Sequence, residues 1–171
     1  MLIEKGGTIK KLKTNAIRLL ESKNVDFEYF TYELGEDIDG VSVAKKLNED
    51  ENLVFKTLVT TGKNSNYVFV IPVNRELDLK KAATSVDEKK IEMLHLKDLL
   101  KTTGYIRGGC SPVGMKKLFP TVIDISASDK DFIYVSGGRI GVQLKIAPDD
   151  LISLINAKFD DIKKKESYER R

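Results

Sequence analysis

Two apolar runs separated by a short polar turn constrain this chain more than anything else in it. Val54-Phe55-Lys56-Thr57-Leu58-Val59 and Tyr67-Val68-Phe69-Val70-Ile71-Pro72-Val73 flank Gly62-Lys63-Asn64-Ser65-Asn66. Short runs rich in β-branched and aromatic residues around such a turn predict an antiparallel hairpin in the middle of a sheet. Pro72 predicts that the pairing ends near it, because proline cannot donate to a ladder. The first run holds one lysine, Lys56. A strand lysine must bring its ammonium to water, to a carboxylate or to an anionic ligand, because unpaired burial is expensive. It is either a cation on a solvent face or a cation aimed into a pocket from a stiff element.

The flanking chain reads as alternating helices and strands. Thr14 predicts an N-cap for a helix running to Lys23 and stopping at Asn24, with Ala16, Ile17, Leu19 and Leu20 as its apolar stripe. Residues 27–32 predict a strand. Ser42 predicts the cap of a short helix carrying Val43, Ala44 and Leu47. Asp78 to Ser85 predicts another, with Leu79, Ala82 and Ala83 inward. His95 to Thr102 predicts a third, through Leu96, Leu99 and Leu100, stopping at Gly104. Thr121–Ile125, Phe132–Ser136 and Val142–Ile146 predict three more strands, the last two joined by Gly137-Gly138-Arg139-Ile140-Gly141. Pro148 followed by Asp149 and Asp150 predicts the start of a C-terminal helix. Strand pairs joined by short turns argue for one mixed α/β domain rather than a purely parallel sheet.

Composition limits the function classes. With 171 residues, the chain suffices for one cored domain; 41% hydrophobic and 32% charged residues fit a globular protein. A net charge of +3, from 29 basic and 26 acidic residues, does not mark a nucleic-acid binder, although local clusters can meet a few phosphates. One cysteine and one histidine leave no internal disulfide and no Cys/His zinc cage. The N-terminal residues lack the apolar core of a signal peptide, and no apolar run approaches the about 20 residues of a membrane span. The expected location is cytoplasmic, with no metal, cofactor, membrane or DNA partner. The acidic loop Gly35–Gly40 reads as a solvated turn.

The stretch Tyr105 to Gly114, with three glycines and a proline in ten residues, predicts a shaped loop whose backbone can approach a ligand. Cys110 with His95 is a weak candidate for nucleophilic catalysis, since no third group orients the pair. A neutral space-filling thiol is the plainer reading. What remains is Lys56, two Gly-Gly turns, and the hydroxyls of Thr57, Ser111 and Ser136. Such a set can relieve negative charge on a carbonyl oxygen or a phosphate, and suits a substrate that is already reactive, such as an ester.

Lys13-Thr14-Asn15-Ala16, Phe55-Lys56-Thr57-Leu58, Leu79-Lys80-Lys81-Ala82-Ala83, Gly104-Tyr105 with Gly108 to Gly114, and Tyr134-Val135-Ser136-Gly137-Gly138-Arg139 with Gly141 together resemble the YbaK/EbsC family. The resemblance runs from about Thr14 to Ala157. It implies an editing domain over 14–162; outside it, residues 1–13 read as a loose leader and 163–171 as a charged tail. The implied fold is an α/β domain on one strongly curved, barrel-like mixed sheet of six to seven strands flanked by helices. The implied activity is deacylation of an aminoacyl-tRNA, above all removal of cysteine mischarged onto tRNA(Pro), by attack of the substrate's own thiol on its ester carbonyl. The family's required lysine falls on Lys56. Its ligand-lining positions fall on Gly108, Gly109, Ser111 and Pro112, on Ser136, Gly137 and Gly138, on Thr57, and more loosely on Tyr32. The partner implied is aminoacyl-tRNA, with prolyl-tRNA synthetase as a docking candidate. Ile140 replaces a common basic residue, and Cys110 stands where an aliphatic one is common. Two alternatives stay open: a deacylase for another small residue such as alanine with water as nucleophile, and a tRNA- or synthetase-binding module without chemistry.

Overall fold

A computed structural model of the chain describes residues 2–5, 12–33 and 40–166. Its strands are β1 (Leu2–Lys5), β2 (Glu28–Thr31), β3 (Phe55–Thr61), β4 (Asn66–Pro72), β5 (Glu92–Met93), β6 (Thr121–Asp124), β7 (Ile133–Ser136), β8 (Val142–Ile146) and β9 (Lys158–Asp160). Its helices are α1 (Asn15–Ser22), α2 (Gly40–Leu47), α3 (Leu79–Ser85), α4 (Leu99–Thr103) and α5 (Pro148–Ile155).

The strands form two sheets. One is antiparallel, in the order β1-β2-β8-β7; the other is mixed, in the order β5-β3-β4-β6-β9. The expectation of one barrel-like sheet of six to seven strands is therefore corrected. Among the described residues neither sheet closes on itself, and the two meet through one parallel bridge, Val54 to Tyr134. Three strands escaped the sequence reading for a common reason: each is short and weakly patterned. β5 is two exposed residues against the end of β3. β9 has one aromatic, Phe159, and owes its conformation to parallel pairing with β6. β1 lies in the stretch read as a loose leader, yet pairs with β2 from Leu2↔Thr31 to Lys5↔Glu28.

The hairpin is as expected: β3 and β4 pair from Phe55↔Pro72 to Thr61↔Asn66, in the interior of the mixed sheet. Val68 and Val70 face a core shared with Ile17, Leu20, Leu144 and Leu151, whereas Tyr67, Phe69 and Ile71 face α3 through Ala82 and Ala83. Both faces of β4 are covered, which is why its sequence is apolar throughout instead of alternating. Each of Phe69, Val70 and Ile71 has 0% exposure, and burial of such a side chain contributes about 1.5–3 kcal/mol.

Local signals mostly hold. Thr14 Oγ1 accepts from the Ile17 N–H at 3.1 Å, and Asn24 takes the left-handed conformation just past the helix end. Asp78 caps α3 by accepting from the N–H groups of Lys80 and Lys81. Gly104 closes α4 at φ +86°. Others are corrected. Ser42 sits inside the first turn of α2, which begins at Gly40. Leu79 shares a face with Ala82 and Ala83 by spacing, but it starts the helix and stays 40% exposed. The helix expected from His95 is a 3-10 turn over Leu96–Asp98 followed by α4, and Leu96 and Leu100 are exposed. The segment read as a charged tail is tied down where it begins: Ile162 is fully buried, its carbonyl accepts from the Asp78 N–H, and Lys163 bridges to Leu77. The acidic residues at 35–39 lie outside the described residues.

Candidate active site

β3 has a continuous ladder on one side only. β4 pairs along its whole length, but β5 reaches only Thr60 and Thr61. Apart from the bridge at Val54, no ladder joins the other edge of β3 to β7 among the described residues. A cavity of about 110 Å³ lies between this edge and the other sheet. Val54, Phe55, Lys56 and Thr57 form one wall, Ser136 and Gln143 the other, and Gly108 and Cys110 cover it from the glycine-rich loop. Gly40, Val43 and Val73 complete it. The Gly40–Val73 contact requires glycine: a Cβ at position 40 would lie 2.3 Å from Val73 Cγ1. The volume has room for a small acyl group. A larger open groove of about 640 Å³, by Tyr67, Ser85 and Leu118, contains none of the expected site residues.

Lys56 lines the cavity, as does the Thr57 hydroxyl-bearing residue beside it. Burial lowers the Lys56 pKa from its ordinary value, and the Glu76 carboxylate opposes that shift. No hydrogen bond or ion pair holds its ammonium among the described residues. The cation is therefore partly desolvated and uncommitted, the state suited to an incoming negative charge.

Gln143 was not singled out by the sequence, where it reads as one polar residue in a strand. It sits on β8 opposite Ser136 of β7 and Phe30 of β2, with 6% exposure. It neighbours Tyr32, whose hydroxyl pKa is raised by burial and pulled the other way by Gln143 and the Gly141 backbone. The Gln143 Oε1 atom and the Thr57 Oγ1 atom are both buried without a partner. A buried orphan polar atom costs about 1–3 kcal/mol, and both of these belong to residues that line the cavity, just beneath its wall. A polar side chain between two apolar positions, Val142 and Leu144, was the only available signal.

The glycine pairs divide in their roles. Gly108 reaches the cavity at φ +84°, and among the described residues no backbone carbonyl takes its N–H. The other amides expected to be free are engaged. Gly109 N–H donates to the Ile106 carbonyl, Gly137 N–H to the Val142 carbonyl, and Gly138 N–H to Ser136 Oγ. Gly109 is instead the point where the two glycine turns touch: a Cβ there would lie 3.0 Å from the Ile140 nitrogen and 3.1 Å from Arg139 Cα. Ser111 is fully buried, with its Oγ accepting from the Val113 N–H, and Pro112 is buried beside it; neither lines the cavity. Tyr32 reaches the site through Gln143 rather than by lining the wall. Ser136 lines it directly.

Burial pushes the Cys110 thiol up to about 11, so it stays protonated at neutral pH. His95 is exposed and does not line the cavity. The Cys–His pairing weighed from sequence has no support in this arrangement. No group of three or more His, Cys, Asp or Glu among the described residues is placed to hold a metal.

Comparison with known proteins places the chain in a family. The family described as aminoacyl-tRNA editing domain matches residues 37–154. A protein from Enterococcus faecalis (strain ATCC 700802 / V583), named as the Cys-tRNA(Pro)/Cys-tRNA(Cys) deacylase EbsC, is 49% identical over 156 residues, covering 90% of this chain and 95% of that one. Among solved structures, a trans-editing enzyme for prolyl tRNA synthetase superposes with a TM-score of 0.77 at 23% identity, over 91% of this chain and 100% of that one. A hypothetical protein superposes at 0.81 with 19% identity, over 88% and 100%. These two likenesses concern the fold. With a family match across more than half its length and near-half identity to EbsC along nearly all of it, the chain belongs to the aminoacyl-tRNA editing domain family, in its YbaK/EbsC branch.

Proposed function

We propose that this protein is a free-standing deacylase that removes cysteine mischarged onto tRNA(Pro). The observation that carries the reading is a cavity of about 110 Å³ with an uncommitted cation and two orphan polar atoms, but no ionised nucleophile. Near-half identity to a relative named for this activity supports the substrate.

The chemistry follows from what the cavity lacks. The substrate's own cysteine thiol, with an ordinary pKa near 8.5, is a few per cent ionised at neutral pH. Held against its ester carbonyl, the thiolate forms a C–S bond. The C–O ester bond breaks, and the ribose oxygen leaves with a proton. The products are a cysteine thiolactone and free tRNA. Lys56 and the Gly108 N–H face the oxygen that gains charge as the carbonyl becomes tetrahedral. Gln143 Oε1 and Thr57 Oγ1 accept from the substrate's α-ammonium and so fix the thiol's approach. The editing unit extends over 14–162, prolyl-tRNA synthetase is a docking partner, and the protein works in the cytoplasm, where charged tRNA is made. No helix among the described residues is long and apolar enough to cross a membrane.

The test is a deacylation panel with Cys-tRNA(Pro), Cys-tRNA(Cys) and Ala-tRNA(Pro). Rapid loss of the cysteinyl esters with thiolactone as first product is expected. Faster loss of the alanyl ester would reassign the substrate and make water the nucleophile. No loss of any ester would leave a binding module.

A further inference from the structure

A second cleft, of about 420 Å³, opens at the same end of the β3–β4 hairpin as the cavity. Leu53 and Pro72 line it, and their sequence neighbours Val54 and Val73 line the cavity. Three cations reach this cleft from three separate segments: Arg75 after β4, Lys130 before β7 and Lys163 after β9. Each is held in place. The Arg75 guanidinium donates to the Lys164 carbonyl at 2.6 Å and lies 3.3 Å from Glu166. Lys163 Nζ is 3.0 Å from Asp124, a carboxylate with 0% exposure, and Lys130 Nζ is 3.0 Å from Asp129. The cleft also holds Ser126, whose buried Oγ has no partner. The one carboxylate on its wall, Asp50, already accepts from the Asn52 N–H.

We propose that this cleft binds backbone phosphates of the RNA strand whose 3′ end enters the cavity, with Arg75, Lys130 and Lys163 as the cations. The proposal rests on the aminoacyl-tRNA reading of the cavity. A 3′-terminal ester seated between the sheets must leave by the mouth of the cavity, and the strand's preceding phosphates then need counter-charges nearby. Cations fixed by internal partners lose little side-chain freedom when a phosphate arrives. Each cation already faces a carboxylate, Glu166, Asp129, or Asp124 with Asp161, so an arriving phosphate shares these cations with their partners and the contacts are modest ones.

The experiment compares wild type with Lys130→Gln and Arg75→Gln. Lys130 pairs only with its neighbour Asp129, so its variant should keep the wild-type melting temperature. KM is measured for Cys-tRNA(Pro) and for 3′-cysteinyl adenosine, which has the ester but no phosphates. The tRNA KM should rise by up to about fivefold for each cation removed, the scale of one ionic contact. The slope of log KM against log salt should flatten by about 0.7 per lost contact. The adenosine ester and kcat should not change. Equal tRNA KM and equal salt slope in the Lys130 and Arg75 variants would overturn the cleft while leaving the cavity's role intact. If wild type cleaves neither ester, the cavity reading fails instead. The cleft is then judged by titrating uncharged tRNA: weaker, less salt-sensitive binding by Lys130→Gln supports it, and identical binding removes it.

Discussion

The Thr14 hydroxyl donates to the Gly137 carbonyl at 2.6 Å, while the same oxygen accepts from the Ile17 N–H. One side chain thus caps α1 and pins the second glycine turn against it, across 123 residues of sequence. Thr14→Ala should cost about 0.5–2 kcal/mol from the cap alone. Since the turn next to Ser136 is loosened too, activity should fall more than stability explains. Thr14→Ser keeps both bonds and should restore both. Urea unfolding and deacylation rates on the three proteins check this.

Gly109→Ala should damage the site without touching substrate. The new methyl would press on the Arg139 and Ile140 backbone at 3.0–3.1 Å, so the two glycine loops must separate. A cost of about 1–3 kcal/mol is expected, as for overpacking elsewhere. A melting temperature equal to wild type would show that the loops yield easily.

Lys56→Met should abolish deacylation and leave the fold as stable as wild type or more so. Burial lowers the lysine's pKa, so the folded state disfavours the charged form. The resulting destabilisation is fully present below the folded pKa and fades as pH rises toward the unfolded value of about 10.5. The stability gap between Lys56→Met and wild type should therefore narrow between neutral pH and pH 10. Paired thermal melts at the two pH values read this directly. A variant less stable than wild type at neutral pH would make Lys56 structural.

Gln143→Leu and Thr57→Val each remove an orphan polar atom while keeping most of the volume. Both should fold at least as stably, since an unsatisfied buried group costs about 1–3 kcal/mol. Both should raise KM for the cysteinyl ester. Gln143→Leu should also release Tyr32, lowering activity further. Steady-state kinetics with parallel melts separate these effects.

Cys110→Ser should retain deacylation, because a thiol pushed up to about 11 supplies no thiolate at neutral pH. Complete loss of activity would restore Cys110 as a nucleophile.

The hairpin, the cap at Thr14, the glycine-rich loop and Lys56 were legible in the sequence. All of these depend on residue type and short-range spacing: β-branched runs, a hydroxyl before a helix, glycine at positive φ, a lone cation in an apolar strand. Tertiary structure decided the rest. Leu2–Lys5, Glu92–Met93 and Lys158–Asp160 are strands only because a neighbour offers a ladder, and no local propensity records that. Gln143 became a site residue because β8 places it across the cavity from β3, with its amide oxygen left unpaired. Gly109 and Gly137 proved to be joints between loops rather than open donors, since their amides found partners within the fold. Sequence fixes which groups are present, but only packing determines which of them are already satisfied and which remain for a ligand.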